Sequence, residues 1–421
     1  MKKKIKNMIH KYIIFIFTLT VLTCIAGGCK NTKQAAEGNF QKEEVKINGN
    51  TDNTVLTVKP PRKSYEEMQS NISTSEILKQ MSLEDKVAQM FIVLPETLTS
   101  DEEYMTKTTK STRSYINKIP VGGVVYMSDN LIDPKQVKDM LQSIQKCSID
   151  RVGLPLFLCV DEEGGRIARI ANNKLFRVDN IGSMTNIGKE NNYEQAFNTG
   201  AFIGDYLSGL GFNLDFAPVV DTIGTPHNTV LYDRTFSDDP YIVSDMADAF
   251  AKGLNSKGVI SVYKHFPGHG STNGDPHKEY AITEKNKDDL SEFDLIPFEK
   301  GIKENVNMIM VGHISLPNVT NDGLPASLSK DIITNMLRKD MGYDGIIITD
   351  ALDMGAIKDN YDSGEAALLA VEAGADIVLM PDDFDAAYNS ILTAVKNGDI
   401  SEERINESVL RIIRLKMDFI Y

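Results

Sequence analysis

Residues Lys264 to His277 read Lys-His-Phe-Pro-Gly-His-Gly-Ser-Thr-Asn-Gly-Asp-Pro-His and concentrate groups that ionise or exchange protons: Lys264, His265, His269, Asp275 and His277. Asp275-x-His277 sets a carboxylate where it can orient an imidazole and stabilise its charged form. Such a histidine both donates and accepts protons near neutrality. The glycines and prolines between these residues predict a loop following the apolar run Val259–Tyr263. Asp350 stands directly after another apolar run, Gly345–Thr349. A carboxylate there can attack an electrophilic carbon, or it can cap a following helix. Asp161 opens Asp-Glu-Glu-Gly-Gly-Arg166, with Arg169 three residues further on. The glycines allow a tight turn that brings Asp161 and an arginine together, either to hold substrate hydroxyls or as a plain rim ion pair. Arg234, within Tyr232–Phe236, is a further donor or a loop salt bridge.

Positioning these groups requires a scaffold. The apolar runs are Val87–Leu94, Gly123–Met127, Pro155–Val160, Phe212–Val220, Val259–Tyr263, Asn307–Val311, Gly345–Thr349 and Ala375–Met380, eight in all. Helical patterns separate most of them: Pro134–Cys147, Tyr193–Leu210, Tyr241–Ser256, Lys287–Lys303, Lys330–Met341, Gly364–Ala373 and Phe384–Asn397, with Glu402–Ile420 closing the chain. Continuous apolar strands alternating with helices predict a parallel sheet covered by helices. Eight repeats predict an α/β fold, a single TIM-like (β/α)8 barrel over residues 75–421. The alternative, an open doubly wound sheet, lacks its glycine-rich phosphate fingerprint after the first strand. A barrel places functional groups at the C-terminal ends of strands. Asp161-Glu162-Glu163, Asp221, Lys264-His265, His313 and Asp350 all fall at such ends. Asp221 reads as structural, and packing is the simpler account of His269 and His313.

The 421 residues are 42% hydrophobic and 25% charged, with a net charge of −14. Residues 1–28 hold five lysines and no acid, so the remainder is more acidic still. That balance argues against a nucleic-acid partner, whose phosphates need a basic surface. Residues 1–28 read as a signal peptide: a basic start, an apolar stretch Tyr12–Ile25 too short for a comfortable span, then Ala26-Gly27-Gly28-Cys29. Small residues before a cysteine resemble a lipoprotein signal, so Cys29 is expected to carry lipid and to be the only attachment to the membrane. An exported protein on the outer side of the cytoplasmic membrane follows. Residues 29–74 are polar and read as a flexible tether. Cys147 and Cys159 form no disulfide framework and no zinc-like spacing.

Five motifs together resemble family 3 glycoside hydrolases in their β-N-acetylglucosaminidase (β-N-acetylhexosaminidase) branch. They are Asp161–Arg169, Asp233–Phe236, Lys264–Gly270 with Asp275–His277, Leu324–Ser329 and Thr349–Met354. The resemblance covers about Thr74 to Tyr421. It implies Asp350 as nucleophile and Asp275–His277 as an acid/base dyad in place of a glutamate. It implies Asp161, Arg169, Arg234, Lys264 and His265 as the grip on the terminal sugar and its acetamido group. It also implies a retaining exo-acting enzyme on oligosaccharides or muropeptides from peptidoglycan, with no cofactor and no metal. The second α/β domain of many family members has no room before Tyr421, which fits the histidine dyad and disfavours a β-glucosidase or β-xylosidase. Readings from other classes are a metal-binding lipoprotein using His265, His269, Asp275 and His277, or a sugar-binding lipoprotein. Phe266-Pro267-Gly268 forbids the helix that a His-x-x-x-His metal site needs.

Overall fold

The computed structural model describes residues 73–99, 103–224, 228, 230–273 and 281–420. Cys29, the signal and tether up to residue 72, Asp275 and His277 lie outside the described residues.

Eight parallel strands form one sheet: β1 (Phe91–Val93), β2 (Gly123–Val125), β3 (Phe157–Val160), β4 (Leu214–Asp215), β5 (Ile260–Phe266), β6 (Met308–Val311), β7 (Ile346–Thr349) and β8 (Val378–Leu379). Their order is β7-β6-β5-β4-β3-β2-β1-β8, so each strand neighbours the next in sequence. A parallel bridge from Ile348 to Ile377 brings the last edge back to the first and nearly closes the barrel. The (β/α)8 expectation holds. The strands are legible in sequence because strands covered on both faces must be apolar throughout.

Local chemistry starts and stops the covering helices. After β2, Asp133 accepts from the Lys135 and Gln136 N–H groups with Pro134 at the first turn, and the helix Pro134–Val152 ends at Gly153 with φ 69°. Three expectations differ. The run Val87–Leu94 is strand only over Phe91–Val93: Ser82 caps a helix Leu83–Gln89, whose buried end (Val87, Ala88) supplies the first apolar residues of the run. The pattern over Lys287–Lys303 is two helices, Lys287–Ser291 and Ile296–Lys303, the second with Pro297 in its first turn, where a proline breaks a continuous ladder. Lys264 and His265 belong to β5 rather than to a loop, because β5 runs buried to Phe266 before the glycines begin.

Polar side chains secure both the seam and the floor. At the seam Asp376 accepts from the Ile347 N–H at 2.9 Å, Arg338 Nη2 at 2.7 Å and Ser408 Oγ at 2.6 Å. At the N-terminal end of the barrel Lys416, fully buried, donates to Gln89 Oε1 and to the Gly122 carbonyl, both at 2.8 Å. Its ammonium sits 4.8 Å from the centre of the Phe157 ring. Burial pushes the Lys416 pKa down to about 7. In the unfolded chain a lysine keeps a value near about 10.4. Between those values the unfolded state binds the extra proton, so stability rises with pH across that window and the penalty is complete below it. From about pH 6 to about pH 9, wild-type protein is expected to gain on the order of 2 kcal/mol more stability than Lys416→Met. Urea midpoints at both pH values check this; equal gains would show that Lys416 stays charged inside.

Candidate active site

The C-terminal ends of β3, β5, β6 and β7 converge on one cavity of about 310 Å³. Its polar wall includes Asp161, Glu163, Arg169, Arg234, Lys264, His265 and His269. Its apolar wall includes Phe216 and four methionines, Met127, Met310, Met354 and Met380. Asp350 lines the cavity as well. Every sequence-predicted site residue within the described residues is therefore in one place. Asp275 and His277 are not among them.

The polar wall begins with the turn after β3. Glu162–Gly164 pairs with Ile167–Ala168 as a tight antiparallel hairpin, with Gly164 and Gly165 at φ 96° and 57°. The turn returns Arg169 to Asp161, Nη2 to Oδ2 at 3.8 Å. Alternation across the hairpin splits the two glutamates. Glu162 is spent on structure: it accepts from the Ile170 and Ala171 N–H groups at 2.8 Å each and from the Tyr206 hydroxyl at 2.7 Å. Glu163 faces the cavity, buried, and takes Arg234 with two bonds, Nε at 2.7 Å and Nη2 at 2.8 Å. Lys264 Nζ then lies 2.6 Å from Glu163 and 3.1 Å from Asp161. Burial alone would raise the Glu163 pKa, but Arg234 and Lys264 hold it far below the carboxylate range. Burial would lower that of Lys264, and Glu163 with Asp161 leave it raised instead. Both groups are charged at neutral pH.

Asp221 anchors the next two residues. It is fully buried and accepts from His265 Nδ1 at 2.7 Å and from the His269 main-chain N–H at 2.7 Å. Its pKa, which burial would raise, is lowered chiefly by His265. The carboxylate therefore fixes His265 with its Nδ1 proton directed at Asp221.

Asp350 caps no helix. The following short helix, Gly355–Lys358, has Met354 at its N-cap. One carboxylate oxygen accepts from the Ala351 N–H at 2.8 Å, and no side chain among the described residues donates to the other. Burial would raise its pKa; His313 foremost, then His265, the Ala351 N–H and Lys264, bring it below the ordinary value. His313 acts from behind. Its Nε2 donates to the Ala351 carbonyl at 2.8 Å, and its Nδ1 lies 2.8 Å from Ser327 Oγ, within the Leu324–Ser329 motif. That motif thus supports the turn that carries Asp350. Sequence reasoning missed this relay, and it missed Asp353, a second carboxyl at the cavity whose pKa burial raises to about 6. Only the shared Thr349–Met354 motif pointed toward Asp353.

Because its folded pKa is depressed, Glu163 contributes stability above the unfolded value of about 4.3, and this is lost as pH falls toward the folded one. Glu163→Gln is expected to cost about 3 kcal/mol at neutral pH by leaving Arg234 without its carboxylate and Lys264 with Asp161 alone. The gap from wild type should narrow on acidification to about pH 3. Denaturant titrations at both pH values measure it; a gap of constant size would mean that Glu163 is not the ionised partner.

Residues 82–415 match the glycosyl hydrolase family 3 N-terminal domain. β-Hexosaminidase A of Pseudoalteromonas piscicida is 32% identical over 322 residues, covering 72% of this chain and 54% of that protein. β-Hexosaminidase LpqI of Mycobacterium tuberculosis is 36% identical over 272 residues, covering 62% of this chain and 68% of that protein. Among solved structures, a family 3 β-N-acetylglucosaminidase from Paenibacillus superposes with a TM-score of 0.75 at 33% identity, covering 81% of this chain and 63% of that one. The M. tuberculosis LpqI structure gives 0.72 at 32% identity, covering 82% of this chain and 96% of that one. The chain thus spans about half the length of the Pseudoalteromonas protein. With the parallel barrel and the charged rim already in place, these matches settle the family: the chain belongs to glycosyl hydrolase family 3, and its barrel is the N-terminal domain of that family.

Proposed function

We propose that this family 3 glycoside hydrolase is a retaining exo-β-N-acetylglucosaminidase. The observation that carries the reading is the ionised, half-engaged Asp350 facing the same cavity as Asp161, Arg169, Lys264 and His265. In the first step Asp350 attacks the anomeric carbon, while His277, oriented by Asp275, protonates the departing glycosidic oxygen. A covalent glycosyl-enzyme results. His277 then takes a proton from water, which displaces Asp350 and releases the sugar with its β configuration. No step calls for a metal. Asp161 and Lys264 offer an acceptor and a donor to sugar hydroxyls, and the methionine wall suits the sugar's apolar face and the acetamido methyl. Asp275 and His277 fall between Asn273 and Ala281. The ends of that stretch are joined by the Asn273 N–H to the Ile282 carbonyl at 2.9 Å and the reverse at 2.8 Å.

The substrate in this reading is a non-reducing terminal N-acetylglucosamine on an oligosaccharide or muropeptide from peptidoglycan. Lipid on Cys29 would hold the enzyme on the outer side of the cytoplasmic membrane. The β-hexosaminidase names of the relatives and the β-N-acetylglucosaminidase from Paenibacillus support the acetamido sugar over glucose or xylose. Purified enzyme should release the aryl group from an aryl β-N-acetylglucosaminide and leave the matching β-glucoside and β-xyloside intact. Asp350→Ala, still folded, should lose about a thousandfold or more of that turnover. Comparable hydrolysis of the glucoside would overturn the substrate, and an active Asp350→Ala would overturn the nucleophile.

A further inference from the structure

A cluster of three side chains, two buried and one partly exposed, lies beside the described ends of the stretch between Asn273 and Ala281, and no step of the mechanism above uses it. Ser271 Oγ donates to Asp294 Oδ1 at 2.7 Å. Lys285 Nζ reaches Asp294 Oδ2 at 2.5 Å and Ser271 Oγ at 2.8 Å. The Asp294 side chain has no exposure at all, and Ser271 is buried. Lys285 Nζ also sits 4.4 Å from the centre of the Phe293 ring, which restricts the ammonium further.

The three residues come from different places along the chain. Ser271 lies on the limb that leaves β5, four residues before Asp275; Lys285 lies on the returning limb, and Asp294 between the two short helices that follow. Asp294 also packs against the leaving limb at Gly268, where an added Cβ would stand 2.6 Å from the Asp294 Cβ. One limb is pinned independently: the His269 N–H is held by Asp221, and Gly270 fits so closely that an added Cβ would lie 1.8 Å from the Thr222 carbonyl oxygen. The returning limb is paired through Ile282 to Asn273 and through Thr283 to Ser315. The main-chain bridges set the separation of the limbs. The charged cluster ties them to each other and to the helix layer.

We propose that Ser271, Asp294 and Lys285 form a positioning cluster for the general acid/base, fixing the two ends of the segment that carries Asp275 and His277. The proposal rests on the dyad assigned above. Its chemistry is specific. A proton donor contributes only when held within hydrogen-bond reach of the departing oxygen. Loosening its base should therefore weaken protonation of the leaving group and leave attack by Asp350 unaltered.

The test is kcat/KM, which reports the glycosylation step, across aryl β-N-acetylglucosaminides of increasing leaving-group pKa, ending with an unactivated disaccharide. Lys285→Met and Ser271→Ala are compared with wild type and with His277→Ala, and circular dichroism confirms folding of each. Both cluster variants should stay within about threefold of wild type on the most activated aryl substrate and fall by about tenfold or more on the disaccharide. Lys285→Arg, which keeps the cation, should recover most of that loss. Uniform slowing across the series, or none in either variant, would overturn the proposal while His277→Ala still discriminates among leaving groups. If His277→Ala itself shows no discrimination, the dyad assignment falls, which is a separate result.

Discussion

A single buried carboxylate, Glu163, organises the rim. Two cations from separate stretches of chain, Arg234 and Lys264, converge on it, and Asp161 shares the second. Taking such a carboxylate out of water costs several kcal/mol, and only good geometry offsets it. The two bonds from Arg234 and the 2.6 Å approach of Lys264 supply that geometry. The consequence is interdependence. No member can leave without stranding charge, so the polar wall acts as one preformed surface. Asp161 and Lys264 hold an acceptor and a donor at the cavity without first reorganising.

The barrel places that surface beside the proposed nucleophile, a carboxylate of a different character. Asp350 stands one residue past β7, supported through Ala351 by His313 and, behind it, Ser327. His313 foremost, then His265, the Ala351 N–H and Lys264, hold its pKa below the ordinary value despite burial, while among the described residues no side chain donates to its second oxygen. Asp353, three residues on and near half-protonated at mildly acidic pH, shows how strongly position sets the charge of two carboxyls in one motif.

The barrel was legible in the sequence because each of its strands is buried on both faces and must be apolar along its length. The rim was legible because polar residues stop those runs abruptly, as at Asp161, Asp221 and Asp350. Boundaries were less so. Val87 and Ala88 are apolar for the inner face of a helix, and nothing in composition separates them from β1. Lys264 and His265 look like loop residues, yet buried counter-ions, Glu163 and Asp221, let β5 carry them as strand. The division of labour between Glu162 and Glu163 was invisible: adjacent identical residues face opposite sides of a hairpin, and only the pairing register decides which one enters the cavity. The support of Ala351 by His313 joins residues 38 apart in sequence, a separation that no local pattern encodes.

The central claim is that Asp350 forms a bond to the sugar. The most direct measurement is proton NMR of the first product released from an aryl β-N-acetylglucosaminide, recorded before mutarotation. Attack by Asp350 followed by attack of water inverts the anomeric carbon twice, so the β anomer should appear first. An initial α anomer would contradict the account, because water would then have displaced the aglycone directly and Asp350 would not be the nucleophile.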